Sequence, residues 1–449
     1  MPGAVRATSR AAPAVWVVVA LWSGAVPAQT LSTLYRDALA GHPALQVQER
    51  VVDRAIARHD QAASRLRPQA TLNANVAYND FRGEGAPRAE YDSRRNVLQV
   101  RQTLLDIPSL RQRESEALRV EQSRRERDAV RMETAYDVVD RYLEVLSANA
   151  ELRSLDAERE AVDGQLARLR RLYQRQLTKV TEVLEAEAYR VSLAAREVEA
   201  RNAKAIALER LRETTGTAVL DVPALREAAP LQSEGSLDEW VRRALDVNPR
   251  LQALQFAADA EERAVAATRG QHLPLIALSA SKTWSNADSD SRRNPPYNVA
   301  SIGVQLTLPL YEGGRVDAAT REAVARRAIA LEQREEKRRE IERQVRSAFL
   351  KMQADVARIE ATEQTRLAYE RSRDAQQKGF ELGAVTVVDL LDAQRRLFRA
   401  GADRAKARHE LVRSLTTLHV HGGDLDDRRI EELSGWMERP ASGPTTSGG

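Results

Sequence analysis

The sequence has 449 residues, enough for two or three ordinary domains or one elongated one, with charged residues at 30% and aromatic residues at 4%. So much charge with so few rings makes poor material for one large globular core and suits long helices with narrow apolar seams. The formal net charge is only +4 and the arginines are interleaved with Glu and Asp, which excludes nucleic acid as a partner, while the absence of cysteine excludes disulfides, thiol chemistry and an N-terminal lipid.

Taken in chain order, Arg6 and Arg10 precede an apolar run, Ala11 to Trp22, and then "SGAVPAQT". Val26 and Ala28 fit the −3 and −1 positions of a signal-peptidase site, so residues 1–28 read as a cleaved signal peptide. The run is too short to span a bilayer, and no later segment reads as a transmembrane helix. If the exported chain enters a membrane, it does so as a β-barrel.

From residue 29 the chain is written twice. "ALAGHPALQ" (38–46) returns as "ALDVNPRLQ" (244–252), aligning Pro43 with Pro249, and "LTKVTEVLEAEA" (177–188) returns as "LGAVTVVDLLDA" (382–393). The first copy, 29–215, begins with a helix over 31–66. The period then changes from helical to two: Leu72, Ala74, Val76 and Tyr78 alternate with Thr71, Asn73, Asn75 and Asn79. With 96–104 this predicts two strands of about ten residues, the length that crosses a bilayer as a tilted strand. A polar loop, 79–96, separates them. Tyr78, Phe81, Tyr91, Trp284 and Tyr297 fall at strand ends across the two copies, where an aromatic girdle belongs or where the rings could equally cap a soluble sandwich.

A corner at 104–109 leads into a helix over 109–174, roughly 100 Å long at 1.5 Å per residue. Its seam is Leu155, Val162, Leu166, Leu169 and Tyr173. A return helix follows over 180–215, and a linker, 216–236, joins the copies. The second copy, 237–424, repeats the plan: a helix over 237–269, strands around 274–284 and 299–309 with a polar loop at 285–298, a corner "LYEGGR", and helices over 316–380 and 386–420. Gly313 and Gly314 read as a strand-to-helix corner in preference to a phosphate loop. The charge run 331–344 reads as a solvated face. "HVHGG" (419–423) reads as a helix end in preference to a metal site. Residues 425–449 read as a disordered tail.

Four antiparallel strands with free edges cannot sit in lipid alone, so other chains must close the barrel. Eight strands from a dimer would be filled by side chains, whereas twelve from a trimer leave a lumen.

Two motifs are the most specific: "LPLYEGGRV" and "ELGAVTVVDLLDAQ" (381–394). With the repeat and the giant hairpins, the chain resembles the TolC-type outer-membrane factors over about Leu31 to Asp424. The resemblance implies a mainly α fold with membrane β: four strands per chain in a 12-stranded trimeric barrel above an α-barrel of coiled hairpins. It implies a homotrimer in the Gram-negative outer membrane, in contact with outer-membrane lipid, its helices projecting into the periplasm. It also implies a periplasmic adaptor meeting the tips near 174–182 and 378–386, and an inner-membrane RND or ABC transporter. In this family aspartates at the positions of Asp389 and Asp392 line the pinched end of the channel. Six carboxylates there would favour cations, and their crowding would raise some of their pKa values. On its residues alone, Thr386-x-x-Asp389 is equally a helix-capping box, with Asp392 a surface residue. Family members with a described gate bond a Tyr and an Arg to a Thr-Asp pair. Here Thr181 and Glu182 hold the pair's positions, while Phe380 and Val385, beside Gly383, replace Tyr and Arg, so the expected gate is held by packing.

No HExxH, Walker loop, nucleophile elbow or CxxC is present, so the expected role is a conduit, not an enzyme, with no cofactor and no metal. The alternative is a soluble periplasmic coiled-coil scaffold with small local sheets.

Overall fold

The computed structural model describes residues 29–82, 87–229, 235–288 and 292–437. The expected signal peptide and the last twelve residues lie outside them.

The prolines that mark the repeat split what periodicity predicts as single helices. α1 (Leu31–Gly41) gives way to α2 (Pro43–Ser64), and α5 (Leu237–Val247) to α6 (Pro249–Arg269). The proline ring removes an N–H and drives the preceding residue out of the helical region. His42 (φ −68°, ψ 120°) and Asn248 (φ −61°, ψ 118°) are accordingly extended. Asn248 also accepts from the Arg250 N–H at 3.0 Å, so the break doubles as a cap for the next helix.

β1 (Gln69–Phe81), β2 (Ala89–Leu105), β3 (Leu275–Asp288) and β4 (Arg292–Thr307) form one antiparallel sheet in the order β1-β2-β3-β4. At 13, 17, 14 and 16 residues they exceed the expected length and run into the segments read as polar loops. Asn79 pairs with Tyr91 and Asp80 with Glu90. Backbone pairing needs no apolar side chains, and here Arg82 and Arg88 close ion pairs on Asp80 at 2.8 and 2.9 Å.

The register sorts the sheet into two unlike faces. Ala70, Val100, Ala280 and Ile302 form one cross-strand row, and Thr71, Gln99, Ser281 and Ser301 form the next row, on the opposite face. Leu72, Val76, Val304 and Leu306 share the apolar face and are exposed, as is Ile302 at 77%. Of the ring residues expected to form a girdle, only Tyr78 and Trp284 lie on that face. Phe81, Tyr91 and Tyr297 occupy odd register positions on the polar face, so the girdle reading fails for them.

α3 (Ile107–Gln174), α4 (Val180–Thr215), α7 (Arg315–Glu381) and α8 (Val387–Gly422) are the two long hairpins. Asp106 caps α3 by accepting from the Ser109 N–H at 2.9 Å. Gly313 (φ 62°) and Gly314 (φ 79°) lie between β4 and α7, in the left-handed region. Leu155, Val162, Leu166 and Leu169 are buried against Val183, Leu193, Val387 and Leu391, but Tyr173, the last residue but one of α3, lies outside that cluster and is 47% exposed.

The largest core lies part-way along the helices, where Leu31, Tyr142, Leu146, Leu211, Val222 and Leu225 pack together. The linker is drawn into it: Tyr142 donates to the Pro223 carbonyl at 2.7 Å, and Asn149 to Asp221 at 2.7 Å. The disordered tail expected from residue 425 is corrected over its first part. Asp427–Gly435 is a helix, α9, capped by Asp426, because Ile430 and Leu433 fit the same core and the Arg226 N–H bonds the Trp436 carbonyl at 2.9 Å.

Candidate functional site: the tip of the second hairpin

α7 stops because Gly383 takes φ 73°, which a side chain resists, and the Ala384 N–H closes back on the Gly379 carbonyl at 2.9 Å. Gly379 is equally constrained for a different reason. A Cβ built on it would lie 2.2 Å from Cγ2 of Val385, so the valine sits directly against the glycine backbone. Phe380 packs on the seam cluster of Val183, Leu193 and Leu391. Val385 and Phe380 therefore make apolar contacts.

Thr386 starts α8 through a reciprocal capping box. Its Oγ1 accepts from the Asp389 N–H at 3.2 Å, its own N–H donates to Asp389 Oδ2 at 3.1 Å, and its hydroxyl donates to the same oxygen at 2.6 Å. The side-chain bond from Thr386, and then the backbone bond, hold the Asp389 carboxyl below its ordinary pKa. Within one chain this is opposite to the direction expected of crowded like charges. Asp392 lies one turn on but is not a free carboxylate, because it pairs with both Arg395 and Arg396. Asp389 has no cationic partner among the described residues.

The first hairpin turns at Gln176, the one non-glycine described residue with positive φ (59°). Thr181 is exposed there, and Glu182 accepts a hydrogen bond from Thr178, so neither meets Phe380 or Val385 through a polar contact among the described residues. The polar link between the hairpins runs elsewhere: Arg168 of α3 meets Glu381 at 3.3 Å. Hydrogen bonds from Gln377 and then Arg168 hold the Glu381 carboxyl below its usual range. Deeper in the first hairpin, Glu158 is buried, accepts from Tyr189 and pairs with Arg196 at 3.3 Å.

Among the described residues, no group of three or more His, Asp or Glu is placed to hold a metal ion. His419 and His421 occupy the last turn of α8 before the left-handed cap Gly423, with His419 bonded to Asp424 at 2.8 Å. No helix of the described residues is long and apolar enough to cross a membrane.

A tandem repeat, a two-faced four-stranded sheet and paired helical hairpins longer than the sheet are the parts of an outer-membrane channel chain. The outer membrane efflux protein family matches residues 34–217 and 240–423, one match per copy, and the chain belongs to that family, which consists of channel proteins and is not an enzyme family. Among curated relatives, the chain is 28% identical to the outer membrane protein TolC of Vibrio cholerae, covering 93% of this chain and 95% of that one. It is 29% identical to the alkaline protease secretion protein AprF of Pseudomonas aeruginosa, covering 88% and 85%. The fold is shared with CusC (TM-score 0.77, 17% identity, 88% and 92% covered) and with the Campylobacter jejuni CmeC outer membrane channel (TM-score 0.75, 16% identity, 92% and 90% covered).

Proposed function

We propose that three copies of this chain close into one twelve-stranded barrel on a tube of helices, forming a passive exit duct for efflux or secretion across the outer membrane and periplasm. One observation carries the reading: the sheet has an apolar face, a polar face, and two edges, β1 and β4, without partners among the described residues. In lipid such edges cost several kcal/mol per unpaired group, so closure with further copies is required. The helices make the same demand. Leu184, Val191 and Val198 recur at seven-residue intervals on α4 and are all exposed in the single chain, a seam that a neighbouring copy would cover.

In this reading residues 1–28 are removed on export from the cytoplasm of a Gram-negative cell. A periplasmic adaptor meets the two tips, and an inner-membrane RND or ABC transporter supplies the energy, the duct itself carrying out no catalysis. The constriction lies at Asp389 and Asp392, in tip hairpins held by Phe380, Val385 and the glycine turn, with Thr181 and Glu182 facing them from the first hairpin. Its preference for cations rests mainly on Asp389, since arginines compensate Asp392. A soluble scaffold is disfavoured, because it would leave the apolar face of the sheet in water. Reconstitution in planar bilayers tests the reading: discrete cation-preferring channels support it, and a protein that inserts without conducting refutes it.

A further inference from the structure

The exposed face of α8 that carries Asp389 and Asp392 changes sign one turn further on. Arg396 lies seven residues after Asp389, Arg399 seven after Asp392, and Asp403 seven after Arg396, so one stripe carries all five. This stripe floors a groove of about 680 Å³. Arg196 of α4 forms one wall, Thr362, Thr365 and Tyr369 of α7 the other, and Arg395, Arg396, Arg399 and Asp403 lie along the floor. Four guanidiniums thus face one carboxylate. Two of them share Asp392, and Arg196 leans on Glu158. Arg399 and Asp403 have no hydrogen bond or ion pair among the described residues, and both are exposed.

We propose that this groove binds carboxylate-rich polypeptide segments, giving the duct a receiving site for acidic cargo immediately beyond the aspartate turn. The inference rests on the conduit reading and deepens it by naming a cargo class. Guanidinium forks match carboxylates in a bidentate way. An open groove more than one helical turn long suits a chain of carboxylates better than a single small ion. Threefold assembly would bring twelve such arginines to one end of the tube, three copies of the four in each groove. A segment arriving at the turn would meet repulsion from Asp389 and then attraction a turn or two later, so the acidic chain is held past the constriction instead of in it.

The test is current block of the full-length trimer in planar bilayers by hexaglutamate, with hexalysine as the opposite-charge probe. Wild type is expected to be blocked by hexaglutamate from the helical side. Arg399→Gln should raise the half-blocking concentration roughly tenfold, the size of one lost charge-assisted hydrogen bond, and Arg399→Lys should recover part of the block. Equal hexaglutamate block in wild type and Arg399→Gln overturns the proposal. So does a loss of trimer heat resistance in Arg399→Gln with block unchanged, which would assign the groove to pairing between copies. A wild-type protein that forms no channel contradicts the conduit itself, a separate failure visible before any peptide is added.

Discussion

Gly379→Ala is the sharpest perturbation of the tip. The new methyl group would lie 2.2 Å from Cγ2 of Val385. Ordinary carbon contacts are about 3.5 Å or longer, so the valine or the turn must move by at least about 1.3 Å. Overpacking of this kind costs about 1–3 kcal/mol. The helix propensity of alanine offsets up to about 1 kcal/mol, because Gly379 lies within α7. The expected net is therefore a destabilisation of the turn of up to about 2 kcal/mol, read as faster hydrogen exchange over 376–388 and a larger open-channel conductance. Val385→Ala removes the obstructing methyl groups. In the double variant only the propensity gain remains, and exchange should fall below that of Val385→Ala alone. Additive effects of the two substitutions would refute the close approach of Gly379 and Val385, and with it a tip held by packing.

Arg408 is buried and reaches the Glu227 carboxylate at 2.5 Å, the Arg226 carbonyl at 2.5 Å and the Glu227 carbonyl at 2.8 Å, so Arg408→Met, which removes these charge-assisted bonds but leaves Glu227 exposed and paired with Arg404, should destabilise the fold by about 1–3 kcal/mol and free the linker to proteolysis. Burial, with Arg153, Arg408, Arg413 and Lys406 nearby, pushes His409 down to about 4. Because the unfolded imidazole titrates near 6.5, the stability of this neutral histidine is complete above that pH and is lost as pH falls toward 4; His409→Gln should flatten the dependence of melting temperature between pH 7 and 5. Asp389→Asn should lower the ratio of cation to anion permeability measured from reversal potentials. Asp392→Asn should lower it less, because Arg395 and Arg396 already compensate that carboxylate.

The repeat and the long helices were legible because prolines and period changes are local signals that recur at a fixed offset. The strand ends were not, since Asn79, Asp80 and Glu90 look like loop residues until cross-strand pairing and ion pairs with Arg82 and Arg88 hold them in register. Helix α9 was hidden because Ile430 and Leu433 are too few to show a period, and only the distant core of Leu31 and Leu225 gives them a place. At the tip, both the turn at Gly383 and the capping box at Thr386 could be read in advance. The pairing of Asp392 with Arg395 and Arg396 lay in plain i,i+3 and i,i+4 spacing and was missed by attending to the carboxylates alone. The contact of Arg168 with Glu381 spans 213 residues and has no local signature.

Whether one chain is a third of a wall can be decided by mass. Native mass spectrometry of the full-length protein released from detergent should give a species of three chains, with β-sheet retained in circular dichroism of the same sample. A monodisperse single chain in detergent at micromolar concentration, its four-stranded sheet intact, would contradict the account.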